Sequence, residues 1–205
     1  MNRTIRLLIL VDIMVLTGFG LLEPILAIFI KDDLIGGTVF AAGLASTLFL
    51  ITKSIVQVPF SKYVDAQKHK TKFLIIGTFI VAVIPFLYII SKNINDIYLI
   101  QIAHGIGSGL AFPTWLSIWS INLDRGKEGF EWSVYSTATG IGTAISGVMG
   151  AAIAEFMGFT ITFVMAGVAS VVGCFILFSL DKKTVRKKTR KRFQFKRKFS
   201  PVLVS

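Results

Sequence analysis

Six long apolar segments follow one another along the chain, at Ile5–Ile30, Val39–Phe60, Phe73–Ile90, Ile97–Ile121, Trp132–Met157 and Phe159–Leu180. Each approaches or exceeds the roughly 20 residues that a helix needs to cross the hydrocarbon core of a bilayer. Short polar stretches separate them. Asp32-Asp33-Leu34-Ile35-Gly36-Gly37 and Lys92-Asn93-Ile94-Asn95-Asp96 carry turn chemistry, and Met157-Gly158 is a tight reversal. Connections this short make consecutive helices antiparallel neighbours. The pattern predicts an all-α membrane protein, with a six-transmembrane-helix bundle over residues 1–180 and a basic tail over 181–205.

Composition supports lipid as the solvent. Of 205 residues, 54% are hydrophobic and only 16% are charged, against about a quarter charged in a soluble domain. Such a chain cannot cover a globule with polar surface, so the lipid bilayer is its first partner. Arg3, Arg6 and the run Leu7 to Val11 have the look of a secretory leader. Asp12 interrupts that run, however, and the apolar stretch continues to Ile30. The segment is therefore expected to remain as an uncleaved first helix. Cys174 is the single cysteine; it allows no internal disulfide and has no metal-ligand spacing around it. No metal and no cofactor are expected.

Charge placement orients the bundle. The net charge is +11, and half of the basic residues lie in the tail. Arg3, Arg6, Lys62, Lys68, Lys70, Lys72, Arg125 and Lys127 fall on the same side as that tail, while the opposite side has Lys31 and Lys92. Basic loops stay in the cytoplasm, so both termini are expected there, with the bundle in the cell membrane. The tail itself is expected to lie on anionic lipid. Each basic residue near the surface contributes about 1 kcal/mol, and Phe193, Phe195 and Phe199 suit the headgroup level. Nucleic acid is not an expected partner.

Ionisable residues at membrane depth ask for an explanation, since each costs about 2.5–3.5 kcal/mol at a helix centre on insertion scales. They are Asp12, Glu23, Lys53 and His104. Depth counted along the helices places Asp12 with Lys53, each about 10 Å from the cytoplasmic ends. An ion pair is expected there, with Gln57 one turn on. Glu23 and His104 fall at a similar distance from the outer ends, with Gln101 one turn outward from His104. A carboxylate beside a histidine in low dielectric suits proton-coupled transport; snorkelling of Glu23 and a packing hydrogen bond of His104 are the alternatives. Trp115, Trp119, Trp132 and Tyr135 fall at the inner ends of the fourth and fifth segments. Trp119 and Trp132 read as interface anchors, and Trp115 and Tyr135 as candidates to line a cavity.

The first and fourth segments share a pattern. Gly18-Phe19-Gly20 precedes Pro24, and Gly105-Ile106-Gly107 precedes Pro113, each followed by an apolar run. The first segment runs outward and the fourth inward, so this is an inverted repeat of three plus three helices. Secondary transporters are built this way, with Gly/Pro-interrupted helices lining the substrate path. The fifth segment has a small-residue stripe at Gly140, Ala144, Gly147 and Ala151. Such a stripe lets another helix approach closely, within the bundle or from a partner.

The loop after the second segment, Pro59-Phe-Ser61-Lys-Tyr-Val-Asp65-Ala-Gln-Lys68-His69-Lys70, resembles the signature loop of the major facilitator superfamily (MFS). Asp65 occupies the acidic position and His69 with Lys70 the basic pair; Ser61 and Lys68 replace two glycines. Gln101 stands where the family has an arginine, four residues before Gly105. The series Gly142, Ser146, Gly147, Gly150 and Ala151 is similar to the fifth-helix antiporter motif without its proline. The resemblance implies the N-terminal six-helix half of a transporter that usually has twelve helices. It therefore implies a small-molecule solute as substrate. As partner it implies a second copy in a homodimer, or a separate six-helix chain. The alternative is a non-transporting or truncated membrane protein serving as a scaffold.

Enzyme chemistry finds little support. Gly107-Ser108-Gly109 has His104 one turn away, but no orienting carboxylate or oxyanion donor accompanies them. Gly105-x-Gly107 follows no strand, and no phosphate-binding loop is present.

Overall fold

The structure is a computed structural model that describes residues 1–67 and 69–180. The expected tail lies outside the described residues. The six apolar segments form six helices: α1 (Arg3–Asp33), α2 (Val39–Ala66), α3 (Lys70–Ile90), α4 (Ile94–Asn122), α5 (Glu128–Met157) and α6 (Phe159–Leu177). Most extend past the apolar stretch that marks them, and α1, α2 and α4 start on side-chain caps. Asn2 accepts from the Ile5 amide at 3.0 Å to start α1, and Thr38 accepts from that of Ala41 at 3.0 Å to start α2. Asn93 and Asp96 cap α4 reciprocally. Gly158, with φ of +88°, joins α5 to α6 in a backbone conformation that favours glycine.

Five helices are long and apolar enough to cross a membrane by themselves; α4 is the exception. Asn95, Asp96, Gln101 and His104 dilute its hydropathy. It runs along both α2 and α3, as α1 runs along α5 and α6. Gln101 is buried and His104 half-buried within the bundle, while Asn95 at the start of the helix is exposed.

Packing follows the three-plus-three plan. The most extensive contacts are α2 with α4, α1 with α6, α3 with α4, and α1 with α5. Exchanging the first three helices for the last three maps α1–α6 onto α4–α3 and α5–α1 onto α2–α4. The correspondence reaches single residues and corrects the register of the glycine pattern. Gly18, Gly20 and Pro24 match Gly107, Gly109 and Pro113, not Gly105 and Gly107. A Cβ on Gly18 would lie 2.8 Å from the Ala166 carbonyl of α6, and one on Gly107 would lie 3.2 Å from the Gly77 carbonyl of α3. A Cβ on Gly20 would meet Ser146 of α5, and one on Gly109 would lie 2.8 Å from Val56 of α2.

Both ends of the bundle are fastened in matching ways. At one end the connection after α1 binds the connection before α4. The Ile35 amide donates to the Lys92 carbonyl and the Ile94 amide to the Ile35 carbonyl, both at 3.1 Å. At the other end the segment before α1 binds the connection after α4, where the Asn2 side chain donates to the Asn122 carbonyl. Two buried apolar clusters sit inside these fastenings. Ile5, Leu8, Trp119 and Leu177 belong to one, and Leu22, Ile30, Ile84 and Phe163 to the other.

Candidate functional site

A cavity of about 610 Å³ opens within the bundle, within the range of small-molecule sites. α1 contributes Asp12, Phe19 and Glu23; α2 contributes Ser46, Phe49 and Lys53; α4 contributes Gln101, His104, Ser108, Phe112 and Trp115; α5 contributes Tyr135. All the ionisable residues singled out at membrane depth therefore share one space. Gln57 is not among the lining residues.

Their pairing differs from the depth arithmetic. Among the described residues no ion pair joins Asp12 to Lys53. The Asp12 carboxylate instead faces the Tyr135 hydroxyl of α5. Lys53 points its ammonium at two rings, with the nitrogen 5.2 Å from the centre of Phe112 and 5.8 Å from that of Phe49. Cation–π contacts of this kind contribute about 0.5–2 kcal/mol, short of the several kcal/mol that desolvating an ammonium costs. Depth along a helix fixes height but not azimuth, and azimuth decides the partners here.

His104 does not pair with Glu23. Its imidazole lies between two rings, 4.7 Å from Phe19 and 4.3 Å from Phe49, with interplanar angles of 21° and 28°. This stack ties α1, α2 and α4 together across the cavity. Glu23 is exposed at the cavity edge. Gln101 is 3% exposed, and its carbonyl oxygen has no hydrogen-bond partner.

The aromatic residues form a continuous wall rather than separate anchors. Phe112 and Trp115 stack at 6.5 Å and 14°, Trp115 and Trp119 at 4.9 Å and 17°, and Tyr135 lies 5.0 Å from Trp115. Trp119 is fully buried, which does not suit an interface anchor, whereas Trp132 is exposed. The Trp115 Nε1 is buried in the wall without a hydrogen-bond partner.

Glycines set the closeness of the helices around the site. A Cβ on Gly105 would lie 3.0 Å from the Lys53 amide nitrogen, and one on Gly109 would lie 3.1 Å from the Lys53 carbonyl. The α4 backbone is thus pressed against α2 where Lys53 emerges. On α5, the residues pressed against α1 are Ser146 and Gly150; a Cβ on Gly150 would meet the Leu21 backbone. Of the expected stripe, Gly140, Ala144 and Ala151 are exposed and Gly147 half-buried, so that stripe faces mainly away from the bundle.

The signature loop is a second polar centre. Lys70 is 3% exposed. Its ammonium lies 3.3 Å from an Asp65 carboxylate oxygen and donates to the Ser117 hydroxyl at 2.6 Å. Ser117 donates in turn to Asp65 at 2.6 Å. Of the basic pair, Lys70 meets Asp65, while His69 is exposed at the start of α3. Ser117 of α4 has no sequence signal, because its two partners are brought to it only by the fold.

A six-helix membrane bundle with a three-plus-three plan and a largely apolar cavity that holds a few charged side chains defines a class, that of secondary transporter folds. The chain belongs to the Major Facilitator Superfamily, whose family profile matches residues 8–205. It is 22% identical over 180 residues to an uncharacterized MFS-type transporter of Methanocaldococcus jannaschii, covering 88% of this chain and 46% of that one. It is 26% identical over 113 residues to the quinolone resistance protein NorA of Staphylococcus aureus, covering 55% of this chain and 28% of NorA. The crystal structure of the POT family transporter PepTSo shares the fold with a TM-score of 0.68 at 15% identity, over 87% of this chain and 37% of that one. The chain thus spans less than half the length of these relatives. Members of the family are transporters rather than enzymes, and this chain is a multi-pass membrane protein.

Proposed function

We propose that the chain moves a small solute across the cell membrane by secondary active transport, as one six-helix half of a larger assembly. The observation that carries this reading is the cavity. Membrane helices do not gather Asp12, Glu23, Lys53 and His104 around an open space without a use for them, given what each costs in lipid. A second bundle, from another copy or a separate chain, completes the path, because alternating access rocks one bundle against another. The exposed face of α5 along Gly140, Ala144 and Ala151 suits that contact. The basic loops support cytoplasmic termini.

Coupling to protons through Glu23 and His104 belongs to this proposal, since both titratable groups line the cavity. The test is solute uptake into liposomes containing the full chain and its second bundle, with an imposed pH gradient and a pH-sensitive dye inside. Uptake with matching proton movement is expected. Uptake that persists after the gradient is collapsed removes the proton and keeps the transporter; an absence of uptake across solute classes removes both.

A further inference from the structure

Two side chains of opposite sign, Asp12 and Lys53, line the interior of the cavity without meeting, while the second carboxylate, Glu23, is exposed at its edge and keeps its solvation. Asp12 sits beside Tyr135, and Lys53 sits against Phe112. Between them runs an aromatic row in which Phe112 and Trp115 are nearly parallel and Tyr135 stands 5.0 Å beyond Trp115. The carboxylate is therefore at one end of a flat apolar wall and the ammonium at the other. Neither has an ion-pair partner among the described residues, and the wall holds a buried indole N–H at Trp115 with no acceptor.

We propose that the cavity selects a zwitterionic solute with a flat apolar body. Its ammonium meets Asp12 and Tyr135, its carboxylate meets Lys53, and its body lies along Phe112 and Trp115. The inference rests on the transport reading above and narrows it to a substrate class. The electrostatics favour a solute with both charges over one with either alone. A simple cation leaves Lys53 without an ion partner and adds like charge to it. A simple anion does the same to Asp12. A zwitterion compensates both and is neutral overall. The half-buried rings of Phe49 and His104 close the Lys53 end, so the carboxylate is recognised away from bulk water, where charge pairing is strongest.

Matched triads test this on the full chain in lipid nanodiscs. Each triad comprises an aromatic amino acid, the amine left by removing its carboxylate, and the acid left by removing its amine, on phenyl, indole and quinoline bodies. Binding is read by tryptophan fluorescence and thermal shift. The expected result is that at least one zwitterion binds ten-fold or more tightly than both of its relatives. Lys53→Met should erase the preference over the amine, and Asp12→Asn the preference over the acid. The comparison within a triad needs no variant, so a poorly folding mutant does not spoil it. Tightest binding by the amine or by the acid would overturn the zwitterion assignment. So would protection of the protein by other solutes but by no triad member, and in that case the transport reading stands. Failure of every solute class to bind would count against both.

Discussion

Lys70 is buried, whereas its partner Asp65 has a side chain that is 71% exposed. Each therefore responds differently to loss of the other. Asp65→Ala takes a carboxylate away from a buried ammonium, a costly kind of deletion. Lys70→Met fills the same buried space with an apolar chain and leaves Asp65 exposed and still accepting from the Ser117 hydroxyl. Asp65→Ala should therefore be the more destabilising, by about 1 kcal/mol given the exposure of the carboxylate. Thermal unfolding of both variants in detergent measures the difference, and equal losses would contradict the asymmetry. At this scale the sequence was partly legible. Asp65, Lys70 and the cavity charges stand out because ionisable residues are rare in apolar segments. Their partners do not. Tyr135 is chosen by the azimuth of α5, and Ser117 by where α4 crosses the signature loop. Neither quantity is written in residue spacing.

Helix contacts carry the next level, and two glycines of α5 separate packing from open surface. Gly150 is pressed against the Leu21 backbone of α1, while a Cβ on Gly140 meets nothing within 4 Å. Gly150→Ala should force α1 and α5 apart at a cost of about 1–3 kcal/mol. Gly140→Ala should be neutral or stabilising, since alanine is the better helix former by about 1 kcal/mol. Melting temperatures of the two variants decide it, and similar values would mean that the α1–α5 contact is looser than described. The helices themselves were readable from hydropathy, α4 the most faintly, because Asn95, Asp96, Gln101 and His104 dilute its apolar run. The inverted repeat was readable as a pattern but not in register. A Gly-x-Gly pair occurs twice in overlapping form at Gly105, Gly107 and Gly109, and only the α3 and α2 contacts show which pair corresponds to Gly18 and Gly20.

For the whole molecule, the open question put to experiment is the occupant of the exposed α5 face. Cys174 is buried, so Ala144→Cys places one accessible thiol there. Oxidative cross-linking in membranes should join two copies if the second bundle is another copy of this chain. If the second bundle is a different chain, the thiol should cross-link only to a cysteine placed on that chain. A thiol that joins neither would show that α5 faces lipid. The bundle was legible at this scale from segment count, because lipid imposes length. Its end fastenings were not, since backbone bonds between Ile35, Lys92 and Ile94 have no side-chain signature. Those fastenings have a mechanical consequence. A bundle clasped at both poles resists sliding of its first three helices past its last three. Motion is then left to the body as a whole, tilting as a lever about the plane of its cavity. On the transport reading proposed above, a solute would be passed by changing which mouth faces a neighbour, while the cavity walls keep their shape.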